Sequence, residues 1–202
     1  MASTPNFAWP TPDDTDPVGD GALDIRTLAD AIDDQVYKGG LVFITEAIGV
    51  TVPALSISNC FTSTYTNYRI VWNCPNSQFS TPLNFRWRVN VTDTIGANYY
   101  YGYNQNTSAS TAFVGAGAQT SAQIATRNSN TFYPSNGTID IPNPLYGRYA
   151  GGNFQYVEAN NTVRSGQGAF NYTSSLTPNG FSLICATGTA TIAARVYGYR
   201  EA

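Results

Sequence analysis

The sequence predicts a mainly β protein: an antiparallel, jelly-roll-like β-sandwich preceded by an extended Pro-rich arm and one short N-terminal helix. Three observations predict this. Charged residues make up 11% of the 202 positions and aromatic residues 13%, with 14 Tyr and 10 Phe, a profile of turn-rich sheet rather than helical bundle. Leu83, Phe85, Trp87, Val89 and Val91 alternate with Asn84, Arg86, Arg88 and Asn90, the period of a half-buried strand. Further β-branched and aromatic runs follow at short intervals, set apart by Gly, Pro and Asn.

The predicted strands cover 41–52, 68–74, 82–91, 97–105, 137–142, 153–159, 168–173, 181–186 and 191–199. Turn signals stand at Pro75-Asn76, Ser135-Asn136-Gly137, Gly151-Gly152 and Pro178-Asn179-Gly180, and Gly115-Ala116-Gly117 reads as a flexible loop. Eight or more strands so spaced make a sandwich, most simply a jelly roll, and no internal repeat points to a solenoid or propeller. A chain of this length buries roughly 70–75% of its unfolded surface, enough for one main core.

Ahead of this domain (41–202) lie two different segments. Residues 1–19 form an acidic arm in which Pro5, Pro10, Pro12 and Pro17 block helix and favour extended geometry. Phe7 and Trp9 are its large apolar groups; they either fold back on their own domain or dock, with Pro10 and Pro12, on a partner. Residues 20–40 read as a helix with Asp20 as N-cap and Gly39-Gly40 as stop. Ile25, Leu28, Ala29, Ile32 and Val36 recur at steps of three and four, opposite Asp24, Arg26, Asp30, Asp33 and Asp34. A helix this short needs its apolar face covered, either by two further copies in a trimeric bundle or by its own β domain.

Residues 1–36 carry eight Asp and one Arg, while the rest of the chain is weakly basic through scattered Arg. No basic stripe of the nucleic-acid-binding kind is present, and no apolar run reaches membrane-spanning length. The N-terminus lacks a signal-peptide pattern, so synthesis in a cytoplasm is expected and sequons such as Asn90 and Asn136 are read as composition. Cys60, Cys74 and Cys185 are too few and too scattered for a disulfide framework and read as small buried thiols. With no His, triads and His-based zinc sites are excluded, and no phosphate-binding loop is present. Asp13-Asp14-Thr15-Asp16 lacks the alternation and Gly of a calcium loop. Glu46, Asp93, Asp140 and Glu158 are too dispersed to single out a glycosidase pair. The expectation is therefore no catalytic residues, no metal and no cofactor.

Tyr99, Tyr101 and Tyr103 would share one face of a strand, with Tyr100 on the other. Two uses fit: a stacking surface for host glycans, or aromatic core and interface residues.

The run Trp9-Pro10-Thr11-Pro12-Asp13-Asp14-Thr15-Asp16, with Asp20-Gly21-Ala22 and Ile25-Arg26-Thr27-Leu28-Ala29-Asp30-Ala31-Ile32-Asp33, resembles the N-terminal module of minor tail and fibre proteins of actinobacterial and marine tailed phages. Residues 61–70 resemble the entry to that family's first core strand, and Val196-Tyr197-Gly198-Tyr199 its closing strand. The resemblance implies a homotrimeric virion protein. Its arm (Phe7, Trp9, Pro10, Pro12) would attach to other tail or capsid proteins, and its helix (Ile25, Leu28, Ile32, Val36) would join the three copies. A head fibre or capsid decoration fits the same architecture. A carbohydrate-binding module for host adhesion stands as the reading of another class.

Overall fold

A computed structural model describes residues 2–3, 10–11, 21–38, 40–75, 82–107, 110–125, 134–147, 149–158 and 164–199, with the backbone alone for 2–3, 10–11 and 33–38. The chain divides into two compact units, Met1–Gly40 with Arg200–Ala202, and Leu41–Tyr199.

In the first unit, β1 (Ala2–Ser3) pairs antiparallel with β2 (Pro10–Thr11), Ala2 opposite Thr11. Most of the segment predicted to be an extended arm, 4–9 and 12–19, lies outside the described residues. Pro10 lies in β2; Phe7, Trp9 and Pro12 lie outside the described residues. Helix α1 (Gly21–Lys38) runs beside β2. Asp24 in its first turn suits the positive end of the helix dipole. The predicted apolar stripe is rotated: the covered face centres on Asp24, Leu28 and Ala31, with Ile32 at its margin, while Ile25 is 66% exposed. At 100° per residue Ile25 falls just off that face. The Val36 side chain lies outside the described residues. The helix is followed by Gly40 at φ +90°, a conformation that favours glycine.

The second unit contains β3 (Leu41–Val52), β4 (Ala54–Ile57), β5 (Asn67–Cys74), β6 (Leu83–Val89), β7 (Thr92–Asp93), β8 (Tyr99–Asn106), β9 (Thr111–Gln119), β10 (Ala122–Ala125), β11 (Ser135–Pro142), a 3₁₀ turn (Pro144–Tyr146), β12 (Gly151–Glu158), β13 (Arg164–Tyr172), β14 (Gly180–Cys185) and β15 (Ala190–Tyr199). One sheet has the order β3-β15-β5-β11-β12-β13-β8-β9; the other runs β10-β6-β14-β4, with β7 beside β6. Eight strands form a nested set: β3 pairs with β15, β4 with β14, β5 with β11 and β6 with β10. First with last, second with seventh, third with sixth and fourth with fifth is a long hairpin rolled over two sheets, which is the jelly roll. The hairpins β8–β9 and β12–β13 are insertions that both widen the larger sheet beyond β11.

The core is aromatic. Phe85 of β6 stacks on Phe181 of β14 at 5.7 Å between centroids and meets Trp87 edge-on at 4.8 Å. Phe170 of β13, in the opposite sheet, comes within 4.7 Å of Phe85 and ties the two layers together. Each such ring contributes about 1.5–3 kcal/mol by burial, with about 0.5–1.5 kcal/mol more per well-set pair. Cys60, Cys74 and Cys185 are buried and not joined in disulfides among the described residues, and burial pushes Cys60 up to about 12.

Several local expectations are corrected. Ser135-Asn136-Gly137 and Gly151-Gly152 lie inside β11 and β12 rather than in turns. Glycine is needed at 137 for close approach: an alanine methyl would stand 2.7 Å from the Trp72 ring and 2.3 Å from the Gln155 carbonyl oxygen. Gly115-Ala116-Gly117 is not a loop but part of the edge strand β9. The alternation at 83–91 ends early, because Asn90 turns the chain at φ +57° and leaves Val91 exposed. The four-residue strands β4 and β10 are too short to show a period.

Two substitutions test this packing by denaturant unfolding of the whole chain. Phe85→Ala should cost about 3–5 kcal/mol, and Gly137→Ala about 1–3 kcal/mol by overpacking. Losses below about 0.5 kcal/mol for both would contradict the inter-sheet role of Phe85 and the Trp72–Gly137 contact.

Candidate functional site

The carboxylates of the β unit are built into its frame. Arg69 grips Asp140 with two bonds, Nε to Oδ1 at 2.7 Å and Nη2 to Oδ2 at 2.9 Å, and the Tyr199 hydroxyl donates to Oδ1 at 2.9 Å. The guanidinium donors hold the Asp140 carboxyl below its usual range. Asp93 pairs with Arg88 at 2.6 Å and accepts from the Ser182 hydroxyl; Glu46 pairs with Arg195 at 3.1 Å. Glu158 is buried opposite Arg164 in the β12–β13 ladder. Among the described residues no group of three or more His, Cys, Asp or Glu is arranged to hold a metal ion.

The tyrosine cluster is corrected as a ligand surface. Tyr99 and Tyr103 are fully buried and Tyr101 partly so. Their shared side is the interior, because β8 lies within the larger sheet and turns that face to β10. The Tyr99 hydroxyl accepts from the backbone N–H of Trp87 at 2.8 Å and bonds the Thr94 hydroxyl at 2.6 Å. The Tyr103 hydroxyl accepts from Gln123 Nε2 of β10 at 2.7 Å. Burial pushes Tyr99 up to about 12 and raises Tyr103 and Tyr101. These phenols fasten the β8–β9 insertion to the smaller sheet.

The opposite, outward face of the insertions carries a different chemistry. Thr138, Gln155, Gln167, Asn104 and Phe113 stand in one straight row across β11, β12, β13, β8 and β9. Four interstrand steps make that row about 19 Å long. Asn136 and Asn153 flank it on neighbouring rows. The amides of Gln155, Gln167, Asn104, Asn136 and Asn153 bond no other side chain or backbone group among the described residues. Two shallow troughs of about 430 and 340 Å³ share Thr138, Gln155 and Gln167.

The row ends on an aromatic ring. Phe113 is 74% exposed, yet its ring tip leans over Gly102 and Gly115, where alanine methyls would stand 2.9 and 3.0 Å from it. Tyr100 leans over Gly117 in the same way. The glycines let both rings recline along the sheet with one side open to solvent. The signal for this face is present in the sequence as amides at alternate positions, Asn104 with Asn106 and Asn153 with Gln155.

No family model matches the chain, and no curated protein matches it.

The Asp140 environment sets a pH dependence. A folded-state value below the unfolded one gives stability that is present above the unfolded value and lost as pH falls through the folded one. The melting temperature of Asp140→Asn should lie below that of the parent at neutral pH. The gap should close as pH falls below about 3.9, the ordinary Asp value; a gap unchanged in acid would contradict the ion pair.

Proposed function

We propose that the chain is a non-catalytic virion protein of a tailed phage, a homotrimeric short fibre or minor tail protein attached to the particle through its N-terminal unit. The observation that carries this reading is β3. It is a 12-residue strand at the end of the larger sheet, rich in Leu, Val, Phe and Ile, and among the described residues only β15 pairs with it. Ile48 is 63% exposed and Val50 71%, with Leu41 and Phe43 also exposed. A long apolar edge strand is an association surface unless something covers it.

The shape of that edge favours a closed assembly over open-ended stacking. The β3–β15 ladder shifts register twice, and Glu46 in mid-strand is tied to Arg195. Bulges and charges of this kind prevent indefinite edge-to-edge growth. A contact that repeats by a threefold rotation closes on itself. The exposed Ile25 and half-covered Leu28 and Ile32 of α1 add apolar surface that further copies can bury. The jelly roll is a recurrent architecture of viral capsid domains, which agrees with the reading at the level of fold. Asp140, Asp93 and Glu46 are each engaged by an Arg, which agrees with a non-catalytic role.

Light scattering on the purified full chain tests this. A mass three times that of the single chain is expected, and Ile48→Lys with Leu28→Asp should reduce it to that of a monomer. A monomeric parent at every concentration, or a trimer untouched by both changes, would contradict the assembly.

A further inference from the structure

We infer that the outward face of β11, β12, β13, β8 and β9 is a binding strip for a linear neutral polysaccharide, with Gln155, Gln167 and Asn104 as its hydrogen-bonding centre and Phe113 as its stacking end.

The chemistry of the strip selects this ligand. Planar amides offer both donors and acceptors, the combination that hydroxyl-bearing rings require, and on this face they stand in register rather than scattered. Their side chains bond no other protein group among the described residues, so a ligand displaces only water. No charged residue stands in the row from Thr138 to Phe113, and Asp140 at its border is neutralised by Arg69. A polyanion such as nucleic acid would find no cation in the row and at its border only Arg69, already paired with Asp140, and a protein partner would find little of the apolar surface that fills interface cores. Phe113 and Tyr100 present open ring surface beside the amides, held down on Gly102, Gly115 and Gly117. A row of about 19 Å suits several consecutive sugars in an extended chain. The shallow troughs give modest affinity per copy, which an assembly of several copies would multiply. The strip does not depend on the trimer: a monomer would bind with the same contacts.

Affinity electrophoresis of the full chain tests it, in native gels containing pullulan, glucomannan, dextran or, as the acidic comparison, alginate. Retardation by at least one neutral polysaccharide is expected and none by alginate. Gln155→Ala with Gln167→Ala should weaken retardation at least tenfold, and Phe113→Ala several-fold. These side chains are exposed, so the variants should keep the parent's near-ultraviolet circular dichroism. Tyr199→Phe, off the strip, should bind as the parent does. Free migration in all three neutral gels, equal retardation by alginate, or full retardation of the double variant would overturn the proposal.

Discussion

The pairing of β3 with β15 is the constraint from which the rest of the β unit follows. It joins the first strand of the frame to the last, and the remaining pairs nest inside it. That closure leaves β3 at one end of the larger sheet, its outer edge unpaired among the described residues. It leaves β11 as the other end of the frame, where inserted hairpins can attach without disturbing the nested set. Growth on one side and that edge on the other are two outcomes of one topology.

The insertions divide their labour by face. Inward, Tyr99, Tyr101 and Tyr103 reach Thr94, the Trp87 backbone and Gln123, so the added strands are bolted to the smaller sheet. Outward, the same strands carry uncommitted amides and reclining aromatic rings. Glycine makes both faces possible. Gly137 admits the Trp72 ring inside, while Gly102 and Gly115 let Phe113 lie down outside. A methyl at any of these positions would push a ring away from the sheet, although none of the three has a positive φ.

The sandwich is legible in the sequence because its main strands are long enough to show a period of two, 83–89 above all. The nested order is not written in any one segment, since it depends on which distant strands pair. The short strands β4 and β10 carry too few residues to reveal alternation. Glycine misleads at 137 and 151–152, because a residue that frees a turn and a residue that makes room for a ring are the same letter. The alternation of the tyrosine cluster is legible, but its orientation depends on where β10 lies, which local sequence does not encode. The amide strip follows the same alternation in β8 and β12 and is hidden because its members come from separate strands. In α1 the apolar spacing is legible, yet the covered face is centred nearer Asp24 than Ile25.

The decisive feature is the outer edge of β3, and amide hydrogen exchange on the full chain probes it residue by residue. If a second copy covers that edge, the β3 amides pointing away from β15 should exchange as slowly as those of the interior strand β5 at assembling concentrations, and lose that protection on dilution. Rapid exchange of those amides at every concentration, in a protein that is nonetheless trimeric, would show that the copies meet elsewhere and would contradict assembly through β3.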